Sequence, residues 1–553
     1  MVAIPTSDRW LLPLFALLCI LTVAVSSTSS PVAVYETDEY IRIQPELDAV
    51  TDKQTRRTVL AYITPWNAKG TRMVDRFQDK VDMVSPVWYT ILASSTSVSS
   101  GDSDEATYSL SGGPPNDGEE EWLHRKQQEG SFKIVPRFYL DSWQQSDYAA
   151  LLSNPSNWRR LADLITAEVA KRQYDGVVLE SAATHLLFEP IQTLSSSLKP
   201  KTLTVVLPPL RTTYSLGGTK LDRMQQSQNA MIVQSIPQLA QVVDFFSIMT
   251  YDMSSAGGRV SNVSGRDFPK DSPLRGAKKG SLRQPGPNTS AQWIGENIKL
   301  IEEATRAAAR AKVEKAKRQA EADSEEVEAV KDEEVERLKD PSNPFAYDDF
   351  SAQEEVLDEA QVEADREDSA DASNDQVDDL LLEQQDELAL IRGKLLMGMP
   401  MYGYRYPLFW VDKSTGQGTP VPAPTNPFEA KELHARTDRS FPSPLLPFLR
   451  GPGEAVTMDT ILSILGDNDG VILDTKQDGE GYFDYTETVT AETLNGRESH
   501  GVKPGDQIYW RMYVPLISTT KERLEALAEN EEVQAGVSLW ELGQANSLLL
   551  HAL

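Results

Sequence analysis

The sequence predicts a (β/α)8 TIM barrel, and three observations carry that prediction. Short apolar runs recur eight times along the chain. Amphipathic helical patterns fill several of the gaps between them. No glycine-rich turn follows the first run, which argues against an open doubly wound sheet.

The eight runs are Thr58–Ile63 (TVLAYI), Asp82–Tyr89 (DMVSPVWY), Lys133–Tyr139 (KIVPRFY) and Gly176–Glu180 (GVVLE), then Thr202–Leu207 (TLTVVL), Val243–Thr250 (VDFFSIMT), Lys394–Met399 (KLLMGM) and Ala535–Leu539 (AGVSL). Most are continuously apolar rather than alternating. Parallel strands covered by helices read that way, because both faces are buried. Helical stripes sit between them. Asn157–Gln173 places Leu161, Leu164, Ile165, Val169 and Ala170 on one face, and Trp293–Ala304 and Ser518–Ala528 show similar spacing.

Two gaps are too long for simple connections. Between strands six and seven, residues 302–389 hold about 30 acidic and about 10 basic residues, a block expected to be solvated. Its first part, Glu302–Lys339, reads as a solvated helix ended by Pro341 and Pro344, and Asp348–Asp379 reads as acidic disorder. A solvated spacer is the plain reading of this insertion. A docking segment for a protein partner is the sharper one. After strand seven, residues 404–506 contain a helix pattern (Thr457–Leu465) and two strand patterns (Val471–Asp474 and Gly481–Tyr485), so a small α+β insertion is expected on the rim.

The expected organisation is therefore a signal peptide (1–27), a polar N-terminal segment (28–57), barrel strands one to six (58–301), the acidic insertion (302–389), and strands seven and eight with the α+β insertion (390–553). The signal-peptide reading rests on Arg9, the apolar run Leu11–Val25 and the small residues Ala24–Ser30. A run of about 15 residues is short for a membrane span, which needs about 20; an uncleaved anchor is the competing reading. No stable membrane anchor is expected after cleavage, and no later segment reads as a span. Two sequons, Asn262-Val-Ser264 and Asn288-Thr-Ser290, make Asn262 and Asn288 candidate glycosylation sites. The chain closes His551-Ala-Leu553, without an ER-retention signal. The expected location is the secretory pathway, secreted or lumenal, with lysosome and vacuole among the destinations.

Composition excludes other classes. A net charge of −29 over 553 residues offers no basic stripe for nucleic acid. The one cysteine, Cys19, lies inside the apolar run, so the mature chain is expected to carry no disulfide, zinc-thiolate site or cysteine nucleophile. The five histidines show no ligand spacing, and Asp467-Asn-Asp-Gly470 lacks the remaining ligands of a calcium loop. Neither a metal nor a cofactor is expected.

Barrels do their chemistry at the carboxyl ends of their strands. Gathered there are Tyr62, Trp66, Trp88, Met249, Tyr251, Tyr402 and Trp540, together with the carboxylates Glu180 and Asp252. Glu541 follows Trp540 directly. Aromatic faces with a few carboxylates suit a sugar, whose C–H edges stack on rings while its hydroxyls bond acids.

These segments resemble glycoside hydrolase family 18, the chitinase-like barrels. The resemblance is carried by VLAYITPWN (Val59–Asn67), YDGVVLE (Tyr174–Glu180), DFFSIMTYD (Asp244–Asp252), KLLMGMPMYG (Lys394–Gly403) and GVSLWELGQ (Gly536–Gln544). It implies an oligosaccharide ligand containing N-acetylglucosamine or a related sugar. It also implies a strand-four pattern D-G-x-D-x-D-x-E, whose final Glu protonates the glycosidic oxygen while the Asp two residues earlier orients the substrate's N-acetyl group. Here Asp175 and Gly176 match, Val178 replaces the first inner Asp, Glu180 takes the second, and Ala182 stands at the acid. Alternation along a strand would put 178, 180 and 182 on one face. The expectation is thus a lectin-type binding protein without the usual acid. The alternative is a hydrolase of chitin-type glycans that uses Glu180, or else Asp252 or Glu541, as an unconventional acid.

Overall fold

The computed structural model describes residues 33–36, 53, 56–94, 106–210, 221–261, 263–272, 274–278, 280–339, 386–412, 417–419, 445–468, 471–475, 479–491, 503–528 and 534–553. The signal-peptide segment with Cys19, the sequon at Asn262, and residues 340–385 of the acidic insertion lie outside them.

Eight parallel strands form the centre: β1 (Val59–Ile63), β2 in two pieces (Met83–Pro86 and Tyr89–Ser94), β3 in two pieces (Lys133–Ile134 and Arg137–Leu140), β4 (Gly176–Glu180), β5 (Thr202–Leu207), β6 (Phe245–Ile248), β7 (Leu395–Pro400) and β8 (Gly536–Trp540). Each pairs in parallel with the next, and β8 pairs back onto β1, so the sheet closes. Closure in this order, with helices in the crossovers, is a TIM barrel. β3 breaks at Pro136, whose ring nitrogen has no hydrogen to donate. β2 breaks beside it, and the first and second pieces of the two strands pair separately.

The continuous apolar runs now have their reason. Along β1, Leu60 and Tyr62 enter the barrel interior with Val178, Val206 and Leu396, while Val59, Ala61 and Ile63 pack outward against the helices. Period 2 therefore holds, but both faces are buried. The helix Pro155–Arg172 shows the outer layer. Asn154 caps it by accepting from the Ser156 N–H at 2.9 Å, Leu161, Ile165 and Val169 are buried, and Gln173 ends it at φ 57°.

The crossover from β6 to β7 uses a helix of 49 residues, Ala291–Lys339. Ile294, Ile298, Ile301, Thr305 and Ala309 are buried, so the barrel-packed part runs past Glu302. Glu302 itself pairs with Arg392, and Lys312 pairs with Glu387 at 3.3 Å. Residues beyond Glu302 as far as Ala309 thus still pack on the barrel, and Ile391 and Arg392 of the returning segment are buried there. Among the described residues no helix is long and apolar enough to cross a membrane.

After β7 the long strand Tyr402–Asp412 pairs antiparallel with Leu445–Leu449, Glu454–Thr457 and Gln507–Val514. With Glu480–Thr488, Val471–Thr475 and the helix Met458–Asp467 it makes an α+β unit on the barrel. One strand was not legible beforehand: Ala33–Glu36, in the segment read only as polar, adds antiparallel to Val471–Thr475.

Candidate carbohydrate site

The barrel mouth is built on strand ends. Trp540 closes β8 and meets two rings, Tyr62 from β1 at 5.2 Å between centroids and Tyr251 just past β6 at 6.2 Å, the latter nearly parallel at 16°. Trp540 and Met249 are partly exposed and pack on the interior residues of the barrel. Below the rings lies a short polar chain: the Tyr62 hydroxyl donates to Ser247 Oγ at 2.9 Å, and Ser247 donates to Ser538 Oγ at 3.1 Å. Burial pushes the Tyr62 and Tyr251 hydroxyls well above the ordinary tyrosine range, so both stay neutral hydrogen-bonding groups.

Asp252 sits on the left-handed side of backbone space, φ 57°. Its N–H donates to Asn288 Oδ1 at 2.7 Å, which fixes that conformation. Its Oδ1 accepts from two phenols, Tyr402 and Tyr404, the second at 3.1 Å. Burial first, and the Asp252 charge second, raise both phenols.

Asn288 is the hub behind this corner. It is 0% exposed, its Nδ2 donates to the Tyr402 carbonyl at 3.1 Å, and its backbone N–H donates to Glu480 Oε2 at 2.6 Å. Glu480 in turn forms a fully buried ion pair with Arg523 at 2.9 Å. The sequon residue Asn288 is thus buried, with its side-chain amide bonded at both ends.

Strand four departs from expectation in two ways. Glu180 closes β4, and its Oε2 accepts from Arg137 Nη1 on β3 at 2.8 Å; the two side chains are 19% and 15% exposed. Arg137 also stacks on the Tyr139 ring, 5.1 Å from its centroid. Ala182 lies past the strand in an exposed turn, held by Ala183 N–H donating to Ser181 Oγ and by Thr184 Oγ1 donating to the Ser181 carbonyl. The shared face expected for 178, 180 and 182 therefore ends at Glu180.

Two further candidates are relocated. Trp88 is 7% exposed and packs in the layer between strands and helices, because the break in β2 turns it outward; it does not line the mouth. Glu541 is 1% exposed and structural: it accepts from the Gly543 N–H at 2.8 Å and from Asn67 Nδ2 at 3.2 Å. Trp66 is 70% exposed. The structure thus brings Tyr62, Met249, Tyr251, Asp252, Tyr402, Trp540 and Glu180 together. Tyr404, which also follows strand seven, joins them through Asp252, and Arg137 joins through Glu180 without having been singled out in the sequence. Arg137 stands two residues before Tyr139, so alternation alone put the two on one face.

A closed α/β barrel whose mouth pairs stacked rings with carboxylates is the class that fold and site define. No family model matches the chain. Among solved structures, the chain is similar to a chitinase from Chromobacterium violaceum (TM-score 0.47, 12% identity, covering 90% of this chain and 97% of that one). It is similar also to a class V chitinase from Pseudomonas fluorescens (0.46, 12%, 90% and 98%). A third is a glycoside hydrolase family 18 N-acetylglucosaminidase from Paenibacillus barengoltzii (0.40, 11%, 90% and 99%).

Proposed function

We propose that this chain is a chitinase-like, lectin-type barrel that binds oligosaccharides containing N-acetylglucosamine or related sugars. Its motifs resemble those of the branch of glycoside hydrolase family 18 called chitinase domain-containing protein 1. The observation that carries the reading is the state of strand four. Glu180 Oε2 accepts from Arg137 Nη1 at 2.8 Å, so its carboxylate is held in an ion pair between β3 and β4. Ala182 has no proton to give. The stacking floor of Tyr62, Tyr251 and Trp540 is meanwhile complete. Binding groups without an acid describe recognition rather than hydrolysis. The apolar leader and the acidic insertion support a secretory-pathway protein with room for a protein partner. The test is a chito-oligosaccharide titration and a hydrolysis assay on one preparation. Binding without turnover supports the proposal; turnover lost in Glu180→Gln overturns it in favour of an active hydrolase.

A further inference from the structure

We infer that Glu480, reaching the barrel from the α+β unit, is a positioning residue of the candidate site: it braces Asn288, and through it the turn that carries Tyr251 and Asp252. Its effect on affinity rests on the carbohydrate-binding reading above. The chain of contacts is continuous. Glu480 Oε2 accepts from the Asn288 N–H at 2.6 Å. Asn288 and Thr289 then grip the turn after β6 on both sides of Tyr251. The Thr289 hydroxyl donates to the Thr250 carbonyl at 2.7 Å, the Asp252 N–H donates to Asn288 Oδ1 at 2.7 Å, and the Met253 N–H donates to the Asn288 carbonyl at 2.8 Å. The same Asn288 amide holds the Tyr402 carbonyl at 3.1 Å, and the Tyr402 hydroxyl donates to Asp252. With the residues on both sides of it held, the Tyr251 backbone is held too, and its ring lies nearly parallel to Trp540.

Glu480 is itself held from behind. Its Oε1 accepts from Arg523 on the helix Ile517–Ala526 at 2.9 Å, and Arg523 also donates to the Gly479 carbonyl at 3.0 Å. Gly479 has φ 75°, and a Cβ there would lie 2.7 Å from Ser290 Cβ, so the turn seats against Ser290 only with glycine. The Arg523 and Glu480 side chains are 1% and 0% exposed. A buried ion pair adds little stability over a well-packed apolar pair, because desolvation offsets the attraction. An apolar pair could fill this space, but it could not accept the Asn288 N–H. That hydrogen bond is what the carboxylate alone contributes, and it leads to the site. A turn fixed in this way before a ligand arrives leaves little ordering cost on binding.

The test compares two double variants of the full chain with the parent, since removing one partner alone would strand a buried charge. In the first, Glu480→Gln with Arg523→Met removes both charges and keeps an acceptor for the Asn288 N–H. In the second, Glu480→Met with Arg523→Met removes the acceptor as well. Each protein is titrated with a β-1,4-linked N-acetylglucosamine tetramer, and hydrogen exchange of the peptide containing the Asp252 amide is followed by mass spectrometry. The second variant is expected to bind about tenfold more weakly and to exchange that amide faster; the first should recover most of both. A purely structural role would shift the unfolding temperature and leave affinity and exchange at the parent's values. Gly479→Ala keeps both charges and displaces the turn from Ser290. It should lower affinity in the same direction, and it decides the matter if the second variant does not fold. Parent-like affinity in the second variant, or an equal loss in the first and second, overturns the inference and leaves the carbohydrate-binding reading standing. Binding by none of the proteins, the parent included, overturns both.

Discussion

Arg137 on β3 and Glu180 on β4 form an ion pair at 2.8 Å inside the barrel mouth, 43 residues apart in sequence. Removing Arg137 leaves Glu180 partly buried with no cation beside it. Arg137→Met is therefore expected to cost about 2 kcal/mol, below the range for fully buried pairs because both groups retain some water. Urea unfolding of the variant checks this. An unchanged midpoint would mean that solvent screens the pair.

The second prediction concerns pH. Burial raises the Glu541 carboxyl above the usual carboxylate range, against the opposing effect of the Gly543 N–H and Asn67 amide that bond it. A group whose folded value is raised adds stability below its unfolded value and loses it as pH rises through the folded one. At neutral pH the charged form therefore weakens the fold. Glu541→Gln keeps an acceptor for Gly543 and removes the charge. Its stability relative to the parent should rise as pH climbs through the carboxylate range. Unfolding midpoints on both sides of that range decide the matter, and a difference independent of pH would refute it.

Asn288 should carry no glycan. In protein secreted from a eukaryotic host, peptide mapping should recover the Asn288 peptide at its unmodified mass. An attached glycan there would contradict its burial. Asn288→Ala should cost about 2–3 kcal/mol, because the Asp252 N–H and the Tyr402 carbonyl would lose their partner. It should also weaken sugar binding by releasing Asp252.

Much of the barrel was legible because its strands are apolar on both faces, and such runs survive any choice of register. β4 and β5 matched their runs to the residue. Less was legible where one residue decides a local break: Pro136 splits β3, β2 breaks beside it, and Trp88 is thereby sent outward. The aromatic half of the site could be read from strand ends. The polar half could not, since Arg137–Glu180 and Asn288–Asp252 pair residues from different strands and loops. The sequon at Asn288 pointed outward, whereas the fold uses the same amide as an internal brace. Ala33–Glu36 was missed because four residues in a polar segment give no period, and only the exposed edge of Val471–Thr475 makes them a strand.

The acidic insertion gives a prediction with a sharp boundary. Excising residues 302–389 would remove buried Thr305 and Ala309 and the Glu302–Arg392 pair. That variant should lose several kcal/mol or fail to fold. Excising 316–385 with a short flexible linker should leave a cooperative unfolding transition close to the parent's, because the Lys312–Glu387 contact already brings the two ends together. Thermal unfolding of both variants separates the outcomes. Equal stability of the two would mean that the first turns beyond Glu302 contribute nothing to the barrel.

The last prediction concerns what restoring the missing acid would do. Ala182→Glu places a carboxyl at the position that matches the family's acid, yet the gain in hydrolysis should be negligible. The strand ends at Glu180, and Ala182 occupies an exposed turn pinned through Ser181 and Thr184. A carboxyl there is solvated and has no neighbour to hold it over a glycosidic oxygen, and general acid catalysis requires that placement. Glu180 remains tied to Arg137, and Val178 leaves the strand without its remaining acid. Trp540→Ala, by contrast, removes the ring that meets both Tyr62 and Tyr251, and should weaken oligosaccharide binding by about 2 kcal/mol, the scale of an aromatic hot spot. Trp66→Ala should cost less, since that ring is mostly in water. A hydrolysis assay on Ala182→Glu beside titrations of the two tryptophan variants tests recognition and chemistry apart. Appreciable turnover by Ala182→Glu would show that the mouth kept everything except the acid. Unchanged affinity in Trp540→Ala would place the sugar elsewhere on the barrel.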